Sequence, residues 1–88
     1  MAIPRIVDDP AYRDLRADDF KHFQEHIAGR KQIDFSSADL RGLDLRNVDM
    51  EGCSLHGAHI SGTYFPANLS PQEIANSVQY GTRMRIGV

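Results

Sequence analysis

Four evenly spaced aspartates are the residues of this sequence that most invite a catalytic interpretation. They are Asp34, Asp39, Asp44 and Asp49. Two carboxylates can act as general acid and general base when a cleft holds them close together. Whether these four converge depends on the elements that position them.

The histidines and the single cysteine are weaker candidates for chemistry. His22 and His26 lie four residues apart in a helical pattern, a spacing that can chelate a metal. Two imidazoles without a third ligand make a weak site, so a solvated helix face is the favoured interpretation. Cys53 falls at an inward position of the repeat described below, where a thiol lacks exposure and a base. We therefore expect no catalytic residue, no metal site, no cofactor and no enzyme activity.

The first 32 residues show helical spacing. Asp9 followed by Pro10 is a start signal for a helix. Further along, Phe20, Phe23 and Ile27 lie at positions i, i+3 and i+7, on one face of a helix. This apolar face needs a surface to cover.

The last 19 residues begin with a second helix signal. Ser70 and Glu73 form a Ser-x-x-Glu capping box, with Pro71 at the first helical position. Ile74 and Val78 share one face of the predicted helix. A short tail follows this helix.

Between the two helical regions, large apolar residues recur at every fifth position. They are Phe35, Leu40, Leu45, Met50, Leu55, Ile60 and Phe65. In an α-helix a step of five advances about 140°, which scatters these side chains around the axis. In a strand an odd step alternates between the two faces. A chain that turns a corner once per repeat collects them inside a square coil, and the aspartates then ring the coil instead of converging.

The run ADLRG-LDLRN-VDMEG-CSLHG-AHISG resembles the pentapeptide-repeat family, whose pattern is A-(D/N)-L-x-x. The resemblance covers residues 33–67. It implies an all-β solenoid, a right-handed quadrilateral β-helix with four repeats per coil and here under two coils. We expect an N-terminal helix and a short C-terminal helix to cap it. The predicted organisation is one domain, with a helical cap over 1–32, the solenoid over 33–69, and a C-terminal helix and tail over 70–88.

Composition restricts the class of partner. The formal net charge is −2, so no global field attracts nucleic acid or an anionic membrane. The sequence has no apolar run near the roughly 18 residues that a membrane span needs. A single cysteine excludes an internal disulfide, and a reducing, cytoplasmic location is the simplest expectation.

The leading functional hypothesis is a non-catalytic module that binds a protein partner of unknown identity through the faces of the solenoid. The candidate surface consists of Asp34, Asp39, Asp44, Asp49, Glu51, Arg41, Arg46 and His56. A subordinate hypothesis is a homodimer, joined at an incompletely covered end or through the apolar tail around Met84 and Ile86.

The main alternative also comes from the family resemblance. Some pentapeptide-repeat proteins are similar to duplex DNA in shape and charge, and bind DNA gyrase as protectors or inhibitors. Residues 33–69 hold five acidic residues and two arginines, a net charge of −3. Direct nucleic-acid binding through Arg41, Arg46, Arg83 and Arg85 ranks last, because the sequence offers no aromatic stacking platform.

Overall fold

The computed structural model describes residues 5–27 and 32–88. A short 3-10 turn, Ile6–Asp8, precedes two short helices, α1 (Ala11–Arg16) and α2 (Phe20–His26). A third helix, α3 (Pro71–Tyr80), follows the repeated segment. Between α2 and α3 the described chain runs through a regular series of tight turns.

The prediction of an all-β solenoid, a right-handed quadrilateral β-helix, is wrong. In residues 5–27 and 32–88 no β-strand and no sheet is present, and the regular elements are helices. The reason lies in the length of the repeat. Residues 41–42, 51–52 and 61–62 form turns, and a straight side between turns contributes at most one bridging residue. One isolated bridge per side cannot make the continuous ladder that defines a strand.

Isolated parallel bridges instead hold the repeats together. They pair Asp34 with Ser54, Asp39 with His59, and Asp44 with Tyr64. Every pair is twenty residues apart, so four repeats complete one turn of the coil, the number that the family resemblance implied, and residues twenty apart stack. The segment is therefore a coil of turns, with a first turn below a second.

The corners of this coil require a left-handed backbone. Gly42 and Gly62 occupy equivalent corners one turn apart, with φ of +72° and +71°. Glycine takes this conformation without the steric cost that a side chain adds. Ser37 accepts it at another corner, with φ of +63°.

The apolar residues of the five-residue period fill the inside of the coil. Phe35, Leu40, Leu45, Met50 and Leu55 are fully buried. Ile60 and Phe65, the last two of the series, are only partly buried. The same apolar cluster includes Leu15 and Phe23 from the N-terminal helices and Met84 from the tail.

The N-terminal region forms two helices where the sequence indicated a single helical region. The break falls at Asp18, which adopts a positive φ of +59°. Asp19 then begins α2, because its side chain accepts a hydrogen bond from the His22 amide at 3.3 Å. Phe23 is fully buried, so the predicted apolar face does point to the core.

This N-terminal region also satisfies backbone groups on the outer edge of the first turn. The Ile6 amide donates to the Asp34 carbonyl at 2.7 Å. The Tyr12 hydroxyl accepts from the Asp39 amide at 2.9 Å, and Arg16 donates to the Asp39 carbonyl at 2.9 Å. One end of the coil is thus covered.

Helix α3 follows its predicted start and lies against the second turn. Ser70 accepts from the Glu73 amide at 3.2 Å, and Gly81 ends the helix in the left-handed conformation. The Leu55 amide donates to the Ser77 hydroxyl at 2.8 Å, and the Gly57 amide donates to the Val78 carbonyl at 3.0 Å. Helix α3 therefore replaces part of the third turn that the coil lacks.

Candidate interaction surface

The four repeat aspartates shape the turns that they precede. Each carboxylate accepts a hydrogen bond from the backbone amide two residues further on, an Asx turn. The pairs are Asp34 with Ser36 (2.9 Å), Asp39 with Arg41 (3.2 Å), Asp44 with Arg46 (3.0 Å) and Asp49 with Glu51 (3.0 Å). Among the described residues no hydrogen bond joins one of these aspartates to another, and each carboxylate binds the amide of its own turn.

Two of these aspartates are neutralised by the arginine of the same repeat. Arg41 donates two side-chain hydrogen bonds to Asp39, both at 2.9 Å, and Arg46 binds Asp44 in the same way at 2.9 and 2.8 Å. The hydrogen bonds from Arg46 lower the pKa of Asp44 to about 2, and those from Arg41 hold the pKa of Asp39 far below its ordinary value. These bidentate pairs fix the direction of both arginines.

Arg46 also lies over an exposed aromatic ring of the second turn. Its guanidinium carbon is 5.2 Å from the ring centre of Tyr64, within the range of a cation–π contact. The bridge between Asp44 and Tyr64 places the two turns in this register. Tyr64 remains 59% exposed. We call Asp44, Arg46 and Tyr64 the Arg46–Tyr64 face.

Two surface clefts flank this face. A cleft of about 390 Å³ is lined by Asp44 together with Phe20 from α2. A second cleft, of about 280 Å³, is lined by Arg46 together with Ile86 from the tail. Asn47 and Val48 line both clefts. The face therefore stands between two depressions that a partner's side chains could enter.

The other residues of the predicted surface have structural partners. Glu51 accepts a hydrogen bond from the Ile86 amide at 2.6 Å and so holds the tail. Asp34 accepts from both the amide and the hydroxyl of Ser36. His56 is exposed but packs beside Gly81, where an added Cβ would lie 3.1 Å from its ring.

The histidines of α2 bind different carboxylates. Nδ1 of His22 is 2.6 Å from Asp19, and Nδ1 of His26 is 2.5 Å from Asp14 of α1. The contact with Asp19 raises the pKa of His22. Across residues 5–27 and 32–88, no group of three histidine, cysteine, aspartate or glutamate side chains could hold a metal ion.

Cys53 is fully buried inside the coil, as the repeat predicted. Burial raises the pKa of its thiol to about 11. The thiol is therefore protonated at neutral pH, and a protonated, inaccessible thiol is a poor nucleophile.

Tyr64 is the residue whose importance the sequence interpretation missed. It occupies the position that aspartate fills in four earlier repeats, so the repeat pattern alone gives it no special role. The twenty-residue stacking rule contains the missing signal, since it places Tyr64 above Asp44 and beside Arg46. The buried hydroxyl of Ser77 has no such signal, because Ser77 lies outside the repeats and 22 residues from its partner Leu55.

The repeat pattern, the twenty-residue bridges and the Asx turns agree with a comparison against known families. The family model described as pentapeptide repeats (8 copies) matches residues 33–66. Residues 33–66 are therefore a pentapeptide-repeat segment. No curated protein and no solved structure matches it significantly. In the part of the chain that the structure describes, no helix is long and apolar enough to cross a membrane.

Proposed function

We propose that this pentapeptide-repeat protein is a non-catalytic module that binds another protein through the Arg46–Tyr64 face. The supporting observation is the exposed Tyr64 ring stacked with a bidentately held Arg46. Tyrosine and arginine are enriched among the residues that dominate binding energy at protein interfaces. Their mutual contact orders both side chains before binding, which reduces the entropy lost on association.

A non-catalytic role is consistent with the state of the candidate groups. Asp39 and Asp44 are engaged by arginines and by turn amides. Cys53 is buried and protonated. A general acid, base or nucleophile needs a reactive protonation state and access to substrate. Cys53 has neither, and the partly exposed carboxylates of Asp39 and Asp44 are occupied by their arginines and turn amides.

The alternative of a DNA mimic that binds gyrase receives less support. Contacts with Arg41 and Arg46 neutralise Asp39 and Asp44, which reduces the negative field that duplex DNA would present. The Cα atoms extend over 30 × 29 × 21 Å, so one molecule is squat and shorter than about 34 Å, one turn of B-DNA. Inhibition of gyrase supercoiling by the purified protein would favour the alternative.

The test compares two exposed tyrosines on different faces. The purified protein is immobilised on a support and incubated with an extract of its source cells. A captured protein is then identified and purified, and its affinity for the protein is measured by titration. Tyr64→Ala should weaken that complex by about 30-fold, the effect of losing a hot-spot residue worth about 2 kcal/mol. Tyr80→Ala is the matched control, because Tyr80 is 67% exposed at the end of α3.

Circular dichroism checks that both variants are folded. Equal binding by wild type and Tyr64→Ala would contradict the assignment of the face. Failure of the wild-type protein to retain any protein would contradict the interaction role itself.

A further inference from the structure

The end of the coil that contacts α3 is covered along only one part of its edge. Amides of Leu55 and Gly57 donate to α3, and the Gly52 amide donates to the Met84 carbonyl of the tail at 2.8 Å. Beyond Gly57 the edge continues through residues 58–65. We call these residues the ledge.

The first turn shows what such an edge can bind. Its amides donate to carbonyls of the second turn: Leu40 to His59 (2.8 Å), Gly42 to Ser61 (3.1 Å) and Leu45 to Tyr64 (2.7 Å). The equivalent amides twenty residues later belong to Ile60, Gly62 and Phe65. Within residues 5–27 and 32–88 these three amides donate no hydrogen bond. The ledge thus repeats the donor pattern of the first turn without a chain to receive it.

Two carbonyls of the ledge follow the same rule. The Ala38 and Leu43 carbonyls accept from the His59 and Tyr64 amides, both at 2.9 Å. Their counterparts twenty residues later are Ala58 and Thr63, whose carbonyls accept no hydrogen bond within the described parts of the chain. Donors and acceptors therefore alternate along the ledge as they do along an unpaired strand edge.

The ledge is also less covered than the equivalent part of the first turn. Leu40 and Leu45 are fully buried, whereas Ile60 and Phe65 are only partly buried. An added Cβ on Gly62 would meet only the Gly42 backbone of the turn below within 4 Å. Both the polar and the apolar groups of the ledge are accessible.

We propose that the ledge binds an extended segment of a partner protein by main-chain pairing. The geometry of the first turn defines the segment. Three residues in the positions that His59, Ile60 and Ser61 take above Leu40 would pair with the Ala58 carbonyl and the Ile60 and Gly62 amides. The middle residue points inward over Ile60 and is therefore apolar. This is recognition by strand addition, in which the main chain supplies affinity and one side chain supplies specificity.

The tail of the same chain already binds a neighbouring part of this edge in that manner. Met84 accepts from the Gly52 amide and donates to the Cys53 carbonyl at 2.9 Å, and its side chain is fully buried. The ledge continues that established contact along the second turn. A second copy stacked end to end would meet α3 and the tail, which cover the adjoining part of the same end, whereas a single extended segment lies beside them.

The first experiment measures hydrogen exchange of individual amides by NMR in the full chain. The amides of Leu40, Gly42 and Leu45 should be protected, and those of Ile60, Gly62 and Phe65 should exchange at least 100-fold faster, on the order of the opening range between core and edge amides. Protection of the ledge amides in a monomer would overturn the proposal, because the edge would then be closed. Their protection in a dimer would also overturn it, because a second copy would occupy the ledge.

The second experiment titrates the protein with the acetylated and amidated peptide of residues 57–62, whose isoleucine supplies the apolar middle residue. Saturable shifts confined to residues 58–65 are expected, with a Kd on the order of 1 mM for so short a probe. The same peptide with aspartate in place of the isoleucine should not bind. Equal binding of both peptides, or the absence of saturable shifts, would overturn the proposal.

Paired variants locate the site on the protein. Ile60→Lys should reduce peptide binding at least tenfold, and Ser61→Lys adds the same charge at an outward position as its control. Equal binding by both variants would overturn the proposal. The inference does not rest on the Arg46–Tyr64 face. A normal complex with Tyr64→Ala refutes that face alone, and failure of the wild-type protein to bind the peptide refutes the ledge alone.

Discussion

Single buried side chains complete the coil where the repeat ends. The Ser77 hydroxyl is fully buried, accepts from the Leu55 amide at 2.8 Å and donates to the Thr82 carbonyl at 2.7 Å. One hydroxyl thus takes the place of a carbonyl from a third turn. A buried amide that loses its partner is destabilising, so this residue has a large effect for its size.

Ser77→Ala should therefore lower the free energy of unfolding by about 1–3 kcal/mol, the cost of leaving a buried polar group unpaired. Urea denaturation measures the change. Ser61→Ala is the control, because Ser61 is exposed at a corner, and it should change stability by less than about 0.5 kcal/mol. Equal effects of the two substitutions would show that Ser77 does not support the edge.

Leu45→Asp tests the inward register of the repeat. Leu45 is fully buried, and a carboxylate there would have no partner in the narrow interior of the coil, so the variant should be unfolded. Arg46→Ala, one residue further on, should remain folded because Arg46 points to solvent. Circular dichroism distinguishes the two results, and a folded Leu45→Asp protein would show that the register is wrong.

At the level of elements, the tail depends on an ion pair with α3. Arg85 binds Glu73 through its backbone amide at 2.8 Å and its guanidinium at 3.1 Å, and Glu73 is only 7% exposed. These contacts lower the pKa of Glu73. Glu73 thus holds the segment that pairs Met84 with the second turn.

The lowered pKa of Glu73 gives stability a defined dependence on pH. A carboxyl whose folded pKa is depressed stabilises the protein fully above its unfolded pKa, near 4.3, and loses that contribution as the pH falls through the folded value. Glu73→Gln should therefore be less stable than wild type at pH 7, and the difference should shrink at pH 3. Thermal denaturation at both pH values measures it, with Glu25→Gln at an exposed position of α2 as the control. A difference that is independent of pH would contradict an ionic role.

The boundaries of the helices show which local sequence signals are sufficient to predict where a helix begins and ends. The start of α3 was predictable because Ser70, Pro71 and the Glu73 amide act within four residues of each other. The second half of the capping box could not be predicted. The Glu73 side chain binds Arg85, twelve residues away, instead of turning back to Ser70. The break between α1 and α2 depends on the positive φ of Asp18, a conformation that the apolar spacing does not encode.

For the whole molecule, the five-residue period predicted the stacking but not the secondary structure. Residues twenty apart pair because inward residues recur once per side, and that information is present in the sequence. The all-β prediction is wrong because the corners leave at most one bridging residue on each side. Predicting the Arg46–Tyr64 face requires both the register of the two turns and the orientation of the two side chains. The register could be predicted from the sequence, but the side-chain orientations could not.

The coverage of the two ends predicts a monomer in solution. The N-terminal region pairs with the outer edge of the first turn, and α3 with the tail covers part of the other end. Light scattering at several concentrations should give a constant mass of 9.9 kDa. A mass that doubles with concentration would contradict this prediction and would restore support for an end-joined rod.

The most direct test of the account is the contact between Arg46 and Tyr64 in solution, because it depends on both the twenty-residue register and the proposed binding face. Nuclear Overhauser measurements on the labelled protein should show cross-peaks between the Arg46 side chain and the Tyr64 ring. The Arg46 side-chain protons should also be shifted upfield, since the guanidinium lies over the ring at 5.2 Å. Cross-peaks from Tyr64 to sequence neighbours only, with unshifted Arg46 protons, would contradict the register and the face together.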